Sequence, residues 1–215
     1  MLVVILVVGL LGVLAWPTIR HAITKREMTR TMKNARTFYL AGFHMATDGA
    51  ANGDADSAWP GDYPAIDLAG YCTKLVQKGY LKAEDLQEML SAPGANCIVH
   101  STGGPQAVVT LSGRCALKVY KVKSTDPSNT VFAASSNYVY DTALNPAAVP
   151  FGDAGFVVIR KSGDTGVYQR IQATLAGNKN TPARFQAEIG ALPGAPQESV
   201  VSGDGATVLA GPEAQ

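Results

Sequence analysis

The chain has 215 residues, of which 47% are hydrophobic and only 16% charged, with a formal net charge of +1. That length suits one core-bearing domain with appendages and excludes two large ones, and the charge fraction is low for a freely soluble protein. The near-zero net charge conceals a polarity: residues 20–36 hold six basic side chains (Arg20, Lys25, Arg26, Arg30, Lys33, Arg36) against Glu27, leaving 12 basic and 16 acidic residues in 37–215. A basic stretch beside an apolar run reads as a membrane-surface collar. It carries no zinc-finger or aromatic-platform signature, so no nucleic-acid partner is expected.

Residues 2–16, LVVILVVGLLGVLAW, contain no charged or polar side chain. A cleavable secretory signal would open with a charged region and end in a small-x-small site, and this run has neither. As a spanning helix it is short, because sixteen residues rise about 24 Å against a hydrocarbon core of roughly 30 Å. Past Pro17 a helical stripe continues through Ile19, Ile23, Met32, Ala35, Tyr39, Gly42 and Ala46, opposite Arg20, Thr24, Arg30, Lys33 and Arg36. One helix of about 45 residues is expected, apolar all round at first and amphipathic later. Pro17 should kink or loosen it. Its front half requires lipid or neighbouring helices.

The run Asp48-Gly49-Ala50-Ala51-Asn52-Gly53-Asp54 suits a helix end and turn, and Ser57–Pro64 (SAWPGDYP) reads as a loop. Asp67–Tyr80 is expected to form a second helix, with Leu68, Tyr71, Cys72, Leu75, Val76 and Tyr80 at helical spacing, and Lys82–Leu90 a third. The period then changes. Ala107–Leu111 and Cys115–Val122 flank Ser112-Gly113 as one hairpin, Tyr138–Tyr140 reads as a short strand, and Phe156–Lys161 with Gly166–Ile171 forms a second hairpin. Residues 176–215, rich in Gly, Pro, Ala and Gln, hold no period and read as an irregular or mobile tail. The expected class is α+β. A long N-terminal membrane or filament-core helix (1–50) packs on a small head with short helices and an antiparallel sheet (51–175), followed by the tail (176–215).

Three cysteines, Cys72, Cys97 and Cys115, allow three pairings, each leaving one thiol. Cys97 with Cys115 is the favoured pair, closing a loop worth roughly 3 kcal/mol in the chain-entropy model. The alternative is three reduced, buried thiols packed as small apolar residues.

Enzyme signatures are scarce: there is no G-x-S-x-G, Walker loop, H-E-x-x-H or dinucleotide fingerprint, so no catalytic residues and no enzymatic activity are expected. Cys97 and His100 have tolerable ligand spacing, but with Cys115 they make only three of the four ligands that a closed zinc site needs. Asn52, Asp54 and Asp56 mimic the start of a calcium loop, yet Tyr63 stands where the bidentate glutamate belongs, and a solvated turn is the plainer reading. Trp16, Phe38, Tyr39 and Phe43 place aromatics on the long helix, where packing against the head outweighs a conductive stack.

Leu2-Val3-Val4-Ile5, then Gly9-Leu10-Leu11, then Pro17 resembles the apolar segment of the type IV pilin-like family, with the proline at the family's helix-kinking position. Asn34-Ala35-Arg36, Ala41–Asp48 and the Trp-Pro loop that follows are similar to secretion pseudopilins, to which the resemblance is closest. It is specific over 1–64, topological over 65–171 and absent in the tail. It implies a structural subunit of a type II secretion pseudopilus or type IV pilus-like filament, assembling through Leu2, Val3, Val4, Ile5, Gly9, Leu10, Gly12 and Pro17. The implied partners are further copies of the chain in a helical homopolymer, other pilin-like subunits, inner-membrane assembly machinery, and the membrane before assembly. The implied location is the inner membrane with the head in the periplasm, or an extracellular filament. No cofactor is expected; some pseudopilins hold calcium near their C-terminal strands, which points here to Asp153 or Asp164. The family's leader and the Thr-Leu-x-Glu ahead of the apolar run are not in this sequence. The natural polypeptide is therefore expected to be longer at its N-terminus, where about five more residues would lengthen the apolar span to about 31 Å. The alternative reading is a monomeric membrane-anchored periplasmic or surface domain that binds a ligand or partner.

Overall fold

The computed structural model describes residues 2–104, 106–177, 179–199 and 201–212, with side chains for Trp16 and from residue 22 onward. The fold is α+β. Helix α1 (Leu2–Asn52) is followed by α2 (Leu68–Gln77), α3 (Ala83–Leu90), strands β1 (Cys97–Ser101), β2 (Val109–Gly113), β3 (Leu117–Val119), β4 (Val131–Ser135), β5 (Phe156–Arg160) and β6 (Thr165–Tyr168), and helix α4 (Pro182–Glu188). Leu2, Val3, Val4, Ile5, Gly9, Leu10, Gly12 and Pro17 lie within the span of α1, but their side chains, and any bend at Pro17, fall outside the described residues.

From Met28 onward α1 lies against the head. Ala35, Tyr39, Gly42 and Ala46 of the sequence stripe are buried, joined by Phe38 and Met45, while Ile23 is 56% exposed because it precedes the first contact with the head. The helix runs on through Asp48 and stops where Gly53 takes a φ of 66°, a left-handed conformation that favours glycine, and Asp54 N–H returns to the Gly49 carbonyl at 2.9 Å. Helix α2 begins on Asp67, whose carboxylate accepts from Gly70 N–H at 2.7 Å. Both short helices fall where their apolar spacing puts them.

Two antiparallel sheets complete the head, β1-β2 and β3-β4-β5-β6. The β5–β6 hairpin is the one expected, with Phe156 opposite Tyr168. The other expected hairpin is corrected. β2 pairs backward with β1, Cys97 opposite Gly113, and β3 joins β4 in the other sheet. At Gly113 (φ 80°) a Cβ would stand 2.5 Å from the Asn96 carbonyl, so the chain leaves β2 here in a conformation closed to other residues. The expected strand at Tyr138–Tyr140 is instead irregular backbone that buries both rings: Tyr138 stacks on Phe156 with centroids 4.0 Å apart, and Tyr140 Oη donates to the Gly190 carbonyl at 2.6 Å. The true strand is the preceding VFAAS, β4, buried at every position, whose continuous apolar run lacks the alternation of a half-buried strand.

The reading of 176–215 as an irregular tail is also corrected. Residues 182–188 are helical, capped by Thr181 and opened by Pro182, and Phe185, Ile189, Leu192 and Leu209 are buried in the main core. Single apolar side chains spaced among Gly and Pro need no period when the surface they fill is already formed. Leu209 N–H donates to the Val119 carbonyl and Lys121 N–H to the Thr207 carbonyl, so the last segment lies along the outer edge of β3 and covers it.

Candidate assembly surface

The side of α1 turned away from the head carries Arg26, Lys33 and Arg36 together with exposed Leu40 (41%) and Phe43 (38%). Arg30 reaches Glu88 of α3 at 2.8 Å, and Asn34 Nδ2 donates to the Glu88 carbonyl at 3.0 Å, so this stretch of α1 is clasped to α3. Lys25, Arg26, Lys33 and Arg36 make no ion pair among the described residues. α1 therefore offers a mixed cationic and apolar stripe that its own head leaves uncovered.

At the far end of α1 the loop 53–64 is held from both sides. Asp54 accepts from Lys78 (2.6 Å), Ser57 Oγ (2.8 Å) and Asp56 N–H (3.0 Å), which together, the lysine first, hold its carboxyl down at about 2. Asp56 pairs with Lys74 at 2.8 Å, and Asn52 Nδ2 bonds back to the Asp48 carbonyl. The three residues read as a calcium-loop mimic are thus engaged by lysines, a serine and the helix end. Trp59 turns inward and is 9% exposed, edge-on to Phe132 at 6.0 Å. Its ring fastens the Trp-Pro loop to the core rather than presenting it to a partner.

Two lysines perform internal work that the sequence conceals. Lys161 Nζ lies 5.4 Å over the Trp59 ring and donates to the carbonyls of Lys123 (2.8 Å), Ser124 (2.7 Å) and Asp126 (2.6 Å), drawing loop 123–126 onto the end of β5. Lys118 Nζ donates to Asp204 and to the Tyr138 carbonyl. Asp204 also accepts from Tyr120 Oη at 2.7 Å and from Tyr140 N–H at 3.2 Å. Burial pushes the Lys118 ammonium below its ordinary range, and Asp204 opposes the shift. The partners are 86 residues apart, a separation at which no periodicity or spacing signals contact.

The structure brings the favoured cysteines together, Cys97 Sγ lying 2.6 Å from Cys115 Sγ, while Cys72 is buried in α2. The contact between them holds the Cys97 thiol low and pushes that of Cys115 up, whereas burial first, with Cys97 and Asp67 nearby, raises Cys72. A non-reducing digest of the mature protein should therefore yield a Cys97–Cys115 linked peptide, with Cys72 alkylated only after unfolding. Three thiols alkylated together in the unfolded, unreduced chain would overturn the pairing.

The other candidate ligand sets are not assembled. Cys97 and His100, three apart on β1, point to opposite sheet faces, one buried and one exposed. Asp153 pairs with Arg170 at 2.8 Å, and Asp164 caps the β5–β6 turn through Ser162 at 2.9 Å. Among the described residues no three His, Cys, Asp or Glu side chains converge, and no helix is long and apolar enough to cross a membrane. An open groove of about 980 Å³ lies between α1 and the β6 end of the sheet. Comparison with protein-family models, characterised proteins and solved structures finds no match.

Proposed function

We propose that this chain is a structural subunit of a pilin-like filament, of the type II secretion pseudopilus or type IV pilus class, and not an enzyme. The observation that carries the reading is α1 itself. It is a single 51-residue helix whose opening run is uncharged, whose later part seats Ala35, Phe38, Tyr39 and Met45 in a small α+β head, and whose other side stays cationic and apolar. A helix apolar all round is stable only in lipid or among equivalent helices. Its amphipathic second half joins that requirement to a folded body. The mechanism is mechanical: helices leave the inner membrane, bundle through Leu2, Val3, Val4, Ile5, Gly9, Leu10, Gly12 and Pro17, and carry the heads outward. The partners are further copies, related subunits and the membrane machinery that extracts them.

The test is electron microscopy of the full chain and of two variants, Gly9→Leu, which blocks close helix approach, and Leu10→Arg, which places a charge in the bundle. The native chain should give thin helical filaments and both variants none, with circular dichroism of the head unchanged. Filaments of normal yield from both variants would overturn assembly through this segment, and a native chain that stays monomeric would favour an anchored binding domain.

A further inference from the structure

The stripe that the head leaves uncovered on α1 has a complement elsewhere in the same chain. Lys33, Arg36 and Leu40, spaced by three and four, share one side of the helix over about 10 Å. Both cations are exposed, and neither makes an ion pair among the described residues. Trp16, at the end of the uncharged run, belongs at the bilayer interface of an anchored chain. Lys33 stands about 25 Å further along α1, whereas the headgroup layer extends only about 5–7 Å beyond the hydrocarbon. Lipid therefore cannot answer these charges, and the surface that does so is protein.

An open groove of about 710 Å³ between α3 and the outer edge of β1 carries the opposite sign. Ala83, Glu84, Gln87 and Glu88 form its helix wall and Val99 and Ser101 its strand wall, with no lysine or arginine among the described lining residues. Glu84 and neighbouring Asp85 are exposed and make no ion pair among the described residues. Glu88 stays 65% exposed even with Arg30 upon it, and that pair, at 2.8 Å, shows which kind of α1 side chain this wall accepts. Within one copy Arg30 and Asn34 fill the contact, while Lys33 and Arg36 sit on the side of α1 turned away from it. Their counter-charge comes from elsewhere. We infer that the groove between α3 and β1 receives α1 of the next copy, with Lys33 and Arg36 at Glu84 and Asp85 and Leu40 against Ala83 and Val99. The 8 residues of α3 rise about 12 Å, which matches the length of the stripe. A contact between two different patches runs head to tail, so it can repeat along a polymer. The inference rests on the proposed homopolymer. It adds a head-level contact that fixes the register of neighbouring copies, which non-directional burial of the apolar segment does not.

The test assembles the full chain from an equal mixture of isotopically light and heavy subunits, then couples touching amines and carboxylates with a carbodiimide. Digests should contain Lys33 joined to Glu84 or Asp85 in peptides of mixed isotope. Lys33→Glu with Arg36→Glu, and separately Glu84→Lys with Asp85→Lys, should each raise the concentration needed for assembly about tenfold, with circular dichroism unchanged. Mixing these two variants should restore assembly, because each supplies the sign that the other lacks. Raising salt from about 0.15 M to about 1 M, which shortens the screening length from about 8 Å to about 3 Å, should weaken native assembly. Native filaments with no mixed-isotope link from Lys33, and charge variants that assemble normally, overturn the contact and leave the filament reading intact. Mixed links in short oligomers that never lengthen support the contact and overturn the filament. A chain that neither assembles nor links overturns both. Loss of assembly in both variants without restoration on mixing assigns the two patches to different neighbours and overturns their pairing.

Discussion

Asp204→Ala should cost the fold about 3–5 kcal/mol, the range for stripping one partner from a buried ion pair. The pair is shielded, with side-chain exposures of 13% for Lys118 and 17% for Asp204, so solvent does little to replace the lost partner. Three donors lose their acceptor at once: the Lys118 ammonium, Tyr120 Oη and Tyr140 N–H. The loss is a large part of the 5–15 kcal/mol by which domains are stable. It should appear as a fall of about 10 °C in the unfolding midpoint. Early hydrogen exchange over 203–210 should accompany it, since Asp204 fastens that segment against β3. The pH dependence carries a definite sign. Burial depresses the Lys118 pKa in the folded state, so between that value and 10.5 the unfolded chain holds more of this proton and the Lys118 contribution to stability rises with pH. Near and above pH 10 it is opposed by Tyr120, whose burial keeps its proton in the fold. The rise should be steeper in Asp204→Ala, where no carboxylate opposes the burial. Replacing Lys118 as well, by methionine, should recover much of the loss, because no buried charge then remains unpaired. A single-variant loss under about 1 kcal/mol, the value of an exposed pair, would refute the latch.

Gly49→Ala should also destabilise, against the ordinary preference of helices. Alanine in a helix interior is worth about 1 kcal/mol over glycine, so propensity alone forecasts a gain. At position 49 the added Cβ would stand 1.8 Å from the Ser57 carbonyl oxygen and 2.7 Å from its carbon. Both are backbone atoms of a loop pinned by Asp54, Lys78 and the buried Trp59, so they cannot withdraw as a flexible side chain would. Overpacking of this kind costs about 1–3 kcal/mol or more, so the net should be a loss of about 2 kcal/mol in urea unfolding. Gly53→Ala, beside it in open space but at a φ of 66°, separates the two causes: it should lose about 1 kcal/mol through backbone strain and leave the Trp59 environment unchanged. Near-ultraviolet dichroism of Trp59 should change for Gly49→Ala alone. A stabilised Gly49→Ala variant would mean that the loop yields and that this contact does not set its position.

The elements legible in the sequence were those whose signal is local. α1 from Ala35 to Ala46, α2 and α3 declare themselves because residues three and four apart share a helix face whatever lies opposite. The β5–β6 hairpin declares itself because Ser162-Gly163-Asp164 can only turn. Cys97 and Cys115 flank a segment that reads as loop and strand, and the fold brings their sulfurs to 2.6 Å. What the tertiary structure decided is non-local. β2 and β3 each carry a strand pattern, but nothing in either pattern names its neighbour; the space under α2 and the edge of β4 assign them to different sheets. β4 carries no alternating pattern because both of its faces are buried. The C-terminal segment looked formless because Phe185, Ile189, Leu192 and Leu209 answer to grooves made by β3, β4 and Tyr140 rather than to one another. Asp54 and Asp56 read in the sequence as a solvated turn with the outline of a calcium loop, and nothing there marks Lys118 or Lys161. Folding brings Lys74 and Lys78 to the carboxylates, shields Lys118 beside Asp204 and holds half-exposed Lys161 among loop carbonyls and the Trp59 ring. Charge has a sign in the sequence, but its partner is set by which distant segments the core brings within 3 Å, and that depends on how the whole surface packs.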